Sequence, residues 1–156
     1  LNKPLTLYMD SCCFCRLLDD PIQYRIRLET EAVVSILEYC DHGDLVLVNS
    51  DALEFELQKI PDTGHRDQIL AFLGAANIFI ESNENIESRA ENLCKLGFTF
   101  YDSLHLAFAE AAEVTIFLTT DDRLLRKARS SVNDVKIRVA NPVNWLMENQ
   151  ELIQEV

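Results

Sequence analysis

The chain is 156 residues long, 48% hydrophobic, and carries a formal net charge of −12 at pH 7. That length and apolar content suit one domain spanning residues 1–156 with a full core, and they exclude a disordered chain. No apolar run reaches the roughly 20 residues of a membrane span, and the acidic balance argues against holding nucleic acid by bulk electrostatics.

Residues 5–9 (LTLYM) read as a buried strand, apolar or aromatic apart from Thr6. No basic stretch, apolar stretch or cleavage site of a secretory signal precedes or overlaps it, so the expected location is cytoplasmic, with no membrane association. Residues 11–18 read as a short helix or turn, closed by Asp19, Asp20 and Pro21. A helix over 22–41 follows, with apolar positions at Ile22, Ile26, Val33, Val34, Leu37 and Cys40, and Gly43 as its left-handed cap. Residues 45–48 form a second buried strand, 51–60 a helix ended by Pro61, and 62–75 a helix capped by Asp62 or Thr63.

The third strand is 78–80. Ser82 or Asn83 caps the next helix, whose apolar face is Ile86, Ala90, Leu93 and Leu96 and which Gly97 stops. A strongly apolar helix over 104–112 begins at Asp102 or the residue before it. Residues 114–118 form the fourth strand, 121–130 a basic helix and 135–139 the fifth strand; Asn141 caps the last helix, with Pro142 at its first position. Short apolar strands separated by helices imply an α/β domain, a three-layer α/β/α sandwich on a mainly parallel sheet.

Five cysteines (Cys12, Cys13, Cys15, Cys40 and Cys94) are an odd number and outline no disulfide framework. Cys12 and Cys15 have C-x-x-C spacing, but no second pair completes a zinc site and no thioredoxin-like pattern surrounds them. They read as packing residues. Basic residues gather at Arg16, Arg25 and Arg27, and again at Arg123, Arg126, Lys127 and Arg129. Each suits a solvated helix face as well as a phosphate contact.

Four acidic residues carry the functional argument: Asp10, Glu56, Asp102 and Asp121. Each aspartate alone suits a helix N-cap. Three at corresponding strand or helix junctions point instead to the rim beyond the strand C-termini, where open α/β sheets bind ligands. Carboxylates converging there repel one another unless a divalent cation lies between them, which points to metal-dependent phosphodiester chemistry. Glu56 sits inside a helix, and periodicity does not separate it from Glu54, because both border the apolar stripe of Leu53 and Leu57. His105, one turn beyond Asp102 in an apolar stripe, reads as a packed, hydrogen-bonded histidine rather than a general acid.

The segments LYMDSCC, NSDALEFEL, YDSLHLAFAEAAEVTIFLTTDDRLLRKA and RVANPVNWL, in order over almost the whole chain, resemble PIN-domain ribonucleases, nearest to VapC-like toxins. The resemblance implies a PIN-like fold and an endoribonuclease whose catalytic, metal-holding residues are Asp10, Glu56, Asp102 and Asp121. Glu56 is preferred to Glu54 because the family's glutamate lies six residues after a serine at the strand end, here Ser50. Ser11 and Thr120 are implied as supporting groups, and Arg16 and Arg123 are candidates to hold the substrate phosphate. The cofactor expected for such oxygen donors is Mg²⁺ or Mn²⁺. The implied partners are an RNA substrate, an antitoxin protein and a second copy of the chain. Two alternatives stand beside this reading: a catalytically inactive PIN-fold binding module, and a metal-dependent phosphatase. The second lacks the D-x-D pair common in such enzymes, because Cys12 stands two residues after Asp10.

Overall fold

The computed structural model of the chain describes residues 4–74 and 76–154. In chain order the elements are β1 (Leu5–Met9), α1 (Ser11–Cys15) with a 3₁₀ turn at Arg16–Leu18, α2 (Tyr24–Asp41), β2 (Leu45–Ser50), α3 (Asp51–Leu57) and α4 (Thr63–Gly74). They continue as β3 (Ile78–Ile80), α5 (Glu84–Lys95), α6 (Phe100–Ala111), β4 (Ile116–Leu118), α7 (Asp122–Ser130), β5 (Val139–Ala140) and α8 (Pro142–Gln154). The strands form one sheet in the order β3-β2-β1-β4-β5, every neighbouring pair parallel. The result is the expected three-layer α/β/α sandwich.

The chain leaves β1 toward β2 and β3 on one side, then returns to build β4 and β5 on the other. The C-terminal ends of β1 and β4, paired from Leu7–Ile116 to Met9–Leu118, therefore bound a topological switch point, the crevice such sheets use for ligands. These strands are buried on both faces. Leu7, Tyr8, Met9, Ile116, Phe117 and Leu118 have no exposed surface, and Phe14, Val33, Ile36, Leu106 and Phe108 close over them.

Local chemistry sets the boundaries. Gly43 and Gly97 end α2 and α5 with φ of 87° and 103°, values that favour glycine. Asn83, not Ser82, caps α5 by accepting from the Ile86 N–H. Asp62 accepts from the His65 N–H at the start of α4; the expected end of that helix, Ala75, lies outside the described residues. Helix α3 stops at Leu57 rather than 60. Lys59 and Ile60 turn onto Glu56 and Leu57, since Pro61 disfavours helical backbone in the residue before it.

Other expectations need correction. Ile22 is 81% exposed and precedes α2, its N–H bonded to the Asp20 carboxylate. Val34 is also exposed, and the buried face of α2 is Glu29, Ala32, Val33 and Ile36. Helix α6 begins at Phe100, capped by Thr99, so Asp102 lies inside its first turn and is not its start. β4 begins at Ile116, because the Val114 N–H still closes α6 on Ala109. The fifth strand is Val139–Ala140 alone: the Val135 and Asp134 N–H groups turn back onto the Ser131 carbonyl, leaving too little chain for a longer strand. No helix among the described residues is long and apolar enough to cross a membrane.

Candidate active site

Asp10 follows β1 directly, and its backbone N–H continues the ladder to the Leu118 carbonyl. It stands where a helix cap would stand, yet its carboxylate caps nothing in α1. It is 4% exposed and lies 2.6 Å from the Cys12 sulfur, which donates to Oδ1. Burial above all, then the neighbouring Cys12 and the negative Asp102, raises the Asp10 carboxyl well above the ordinary aspartate range. A buried carboxylate at the end of a central strand with no capping duty is a costly arrangement for stability alone.

Asp102 is half-buried in the first turn of α6. Its carboxyl is raised by burial first and then by Asp121, against the opposing pull of Thr99 and His105. Asp121 follows β4 and accepts from the Arg123 and Leu124 N–H groups, so it does cap α7, using Oδ1 for both bonds. Asp10, Asp102 and Asp121 thus share one electrostatic neighbourhood at the switch point. Asp122 does not belong to it: both its oxygens bind Arg25, at 2.7 and 2.8 Å, tying α7 to α2.

Glu56 reaches the same region from α3 by way of His105, its Oε1 lying 3.1 Å from Nε2. Burial pushes the Glu56 carboxyl up, but hydrogen bonds from His105 and Ser11 outweigh it and hold the group below the usual glutamate range. Glu54 is occupied elsewhere, accepting from the Asn49 amide at 2.8 Å. His105 is 1% exposed, and its Nδ1 lies 2.6 Å from the Tyr8 hydroxyl, which also meets Ser50 Oγ at 2.8 Å. Ser50, Tyr8, His105 and Glu56 thus form one hydrogen-bonded relay. His105 is a packed histidine that orients Glu56. Tyr8 belongs to this relay and was missed by the sequence reading, because an aromatic inside a buried strand looks like core.

The loop after β4 is stitched to the start of α1. Thr119 Oγ1 accepts from the Asp121 N–H and lies 3.3 Å from Cys12 Sγ, while the Thr120 N–H donates to the same sulfur. Thr119 supplies a hydroxyl that the sequence reading did not name, and the expected Thr120 supports the same sulfur through its N–H and its side chain, its carbonyl accepting from Arg25. Arg16 is spent internally, bonding the buried Glu29 at 3.0 Å and Asp19 at 2.6 Å. Arg123 is exposed at the start of α7, and its guanidinium makes no ion pair among the described residues.

The carboxylates offer oxygen donors, the chemistry that hard divalent cations take, and Asp10 and Asp102, raised chiefly by burial, also feel the charges of Asp102 and Asp121, which such an ion would offset. In that sense the residues fit a Mg²⁺ or Mn²⁺ ion. They are not gathered into a closed cage: the described residues bring a group of three ligand atoms within 4.8 Å of one another only at Asp10, Cys12 and Cys13. All five cysteines are free, Cys13 is buried and Cys94 is exposed, which corrects the expectation of packing for Cys94. Comparison with known proteins finds no matching family model and no matching curated protein.

Proposed function

We propose that this chain is a metal-dependent endoribonuclease of the PIN type, hydrolysing RNA phosphodiester bonds at the rim formed by Asp10, Asp102 and Asp121 with Glu56 beside it. The observation that carries the reading is Asp10, a buried carboxylate at the switch point that caps no helix and is electrostatically coupled to Asp102. A bound Mg²⁺ or Mn²⁺ would neutralise these carboxylates and make a water acidic enough to attack phosphorus. Asp10, Asp102 and the oxygen of Asp121 not used in capping would hold it.

The chain's own groups divide the remaining work. Glu56, kept ionised by His105 and Ser11, is suited to accept a hydrogen bond from the attacking water and orient it. His105 and Tyr8 act by fixing Glu56. Arg123, exposed beside Asp121, can bind a phosphate, whereas the internal ion pairs of Arg16 argue against that role.

An RNA substrate is the partner this reading requires, and the family resemblance adds an antitoxin and a second copy of the chain. A groove of about 830 Å³ lined by Phe55, Phe100, Tyr101 and Leu104 supports a protein partner of some kind, since Phe55 and Phe100 are exposed in it. The 2.6 Å contact between Cys12 and Asp10 favours a second reading, a PIN-fold binding module without hydrolysis.

Cleavage of structured RNAs in Mn²⁺ separates the two. The hydrolase reading expects cleavage that EDTA abolishes and that falls by about a hundredfold or more in Asp10→Asn and in Asp121→Asn. Cleavage indifferent to EDTA and to both substitutions would overturn it. Metal binding without cleavage would favour the binding module.

A further inference from the structure

We propose that Asp10 Oδ1, Cys12 Sγ and Cys13 Sγ form a site for a thiophilic divalent cation of the Zn²⁺ class, sharing Asp10 with the carboxylate rim. The inference shares that residue with the proposed hydrolase but stands without it. The three ligand atoms lie within 4.8 Å of one another. Tetrahedral zinc, with sulfur at about 2.3 Å, sets its ligand pairs roughly 3.5–4 Å apart, so an entering ion would part Cys12 Sγ and Asp10 Oδ1 from their 2.6 Å contact by side-chain rotation while keeping Cys13 Sγ within reach. Two sulfurs and one carboxylate select zinc-like ions over Mg²⁺, which demands oxygen donors in an octahedron.

The surroundings suit thiolate ligation. Cys12 Sγ faces the Thr120 N–H and Thr119 Oγ1, each at 3.3 Å, and these donors orient a sulfur and stabilise its negative charge. Cys13 Sγ donates to the Leu118 carbonyl at 3.4 Å, a weak bond that a cation would replace. The contact between Cys12 and Asp10 places a proton where the ion would sit. Binding M²⁺ would expel the protons on the two sulfurs to solvent, forming two metal–sulfur bonds and one metal–oxygen bond. Cys13 is fully buried and Asp10 nearly so, so the half-buried Cys12 forms the entry. Three protein ligands leave a fourth position for an exogenous group, as in open zinc sites. An ion seated here takes Asp10 Oδ1 and would leave a hard cation at the rim only the other oxygen of that carboxylate.

Co²⁺ added to the reduced 156-residue chain is the probe, read by its sulfur-to-cobalt charge-transfer absorption. The site predicts an intense band saturating at one equivalent, bleached by Zn²⁺ but not by excess Mg²⁺. The band is lost in Cys12→Ser and in Cys12→Ala, each checked for folding by circular dichroism, and kept in Cys94→Ser. No band, or one that survives both Cys12 substitutions, overturns the site. Mn²⁺ binding without the cobalt band removes this inference alone. A cobalt band without Mn²⁺ binding supports the thiolate site and counts against the hydrolase.

Discussion

Asp10 and Asp121 show why a residue's role depends on contacts beyond its own segment. Both follow a buried strand and precede a helix, yet only Asp121 caps. The sequence pattern is the same at both positions; the difference lies in where each carboxylate turns. Glu54 and Glu56 are likewise equivalent by periodicity, and only Asn49 on one side and His105 on the other distinguish them. The coupling of carboxylates leads to a pH prediction. Asp102 has a raised pKa in the folded chain, so its contribution to metal-free stability is fully present below the ordinary aspartate value of 3.8 and is lost as pH rises through the folded value. Asp102→Asn should therefore melt higher than wild type at pH 7 without metal, the gain shrinking toward pH 4; thermal melts across that range check it. A variant that melts lower at pH 7 would mean that the N-terminal dipole of α6 outweighs burial and Asp121. Tyr8→Phe tests the neighbouring relay. It leaves a buried His105 nitrogen without its hydrogen-bond partner, and urea unfolding should register a loss of about 1–3 kcal/mol.

At the scale of elements, the features written in local chemistry were readable. Gly43 and Gly97 mark the ends of α2 and α5, and Asn141 accepts from the Val143 N–H just past Pro142, as a cap should. What was not readable depended on tertiary partners. Residues 135–139 carry a strand-like pattern, but the turn onto Ser131 consumes its start, and the sheet edge accepts only two residues. The apolar spacing over 22–41 suggested Ile22 and Val34 as core, while α2 in fact buries Glu29, which Arg16, Arg25 and Asn141 satisfy. Gly97→Ala tests the capping account. With φ at 103° the added methyl strains the backbone and would meet Lys127 Nζ at 2.9 Å. The lysine tip can move aside, so the backbone term dominates, and chemical denaturation should show a loss of about 1–2 kcal/mol. An unchanged midpoint would mean that the turn relaxes freely.

For the whole molecule, topology matters more than composition. The order β3-β2-β1-β4-β5 puts the ends of β1 and β4 side by side at the point where the connections diverge, and the loop after each strand brings an aspartate to it. Asp102 and Glu56 then join from α6 and α3, elements distant in sequence from β1. A net charge of −12 sets the limit on what this arrangement can hold without a cation. Repulsion among the rim carboxylates adds to that of the surface, so under the proposed function a divalent ion would supply the counter-charge and RNA would approach through a local basic contact such as Arg123.

Calorimetric titration of Mn²⁺ into the wild-type chain and into Asp102→Asn tests this account most directly. The account predicts saturable binding to wild type that Asp102→Asn abolishes while remaining folded. Wild type that is folded yet takes up no Mn²⁺, or an Asp102→Asn variant that binds as tightly as wild type, would contradict it.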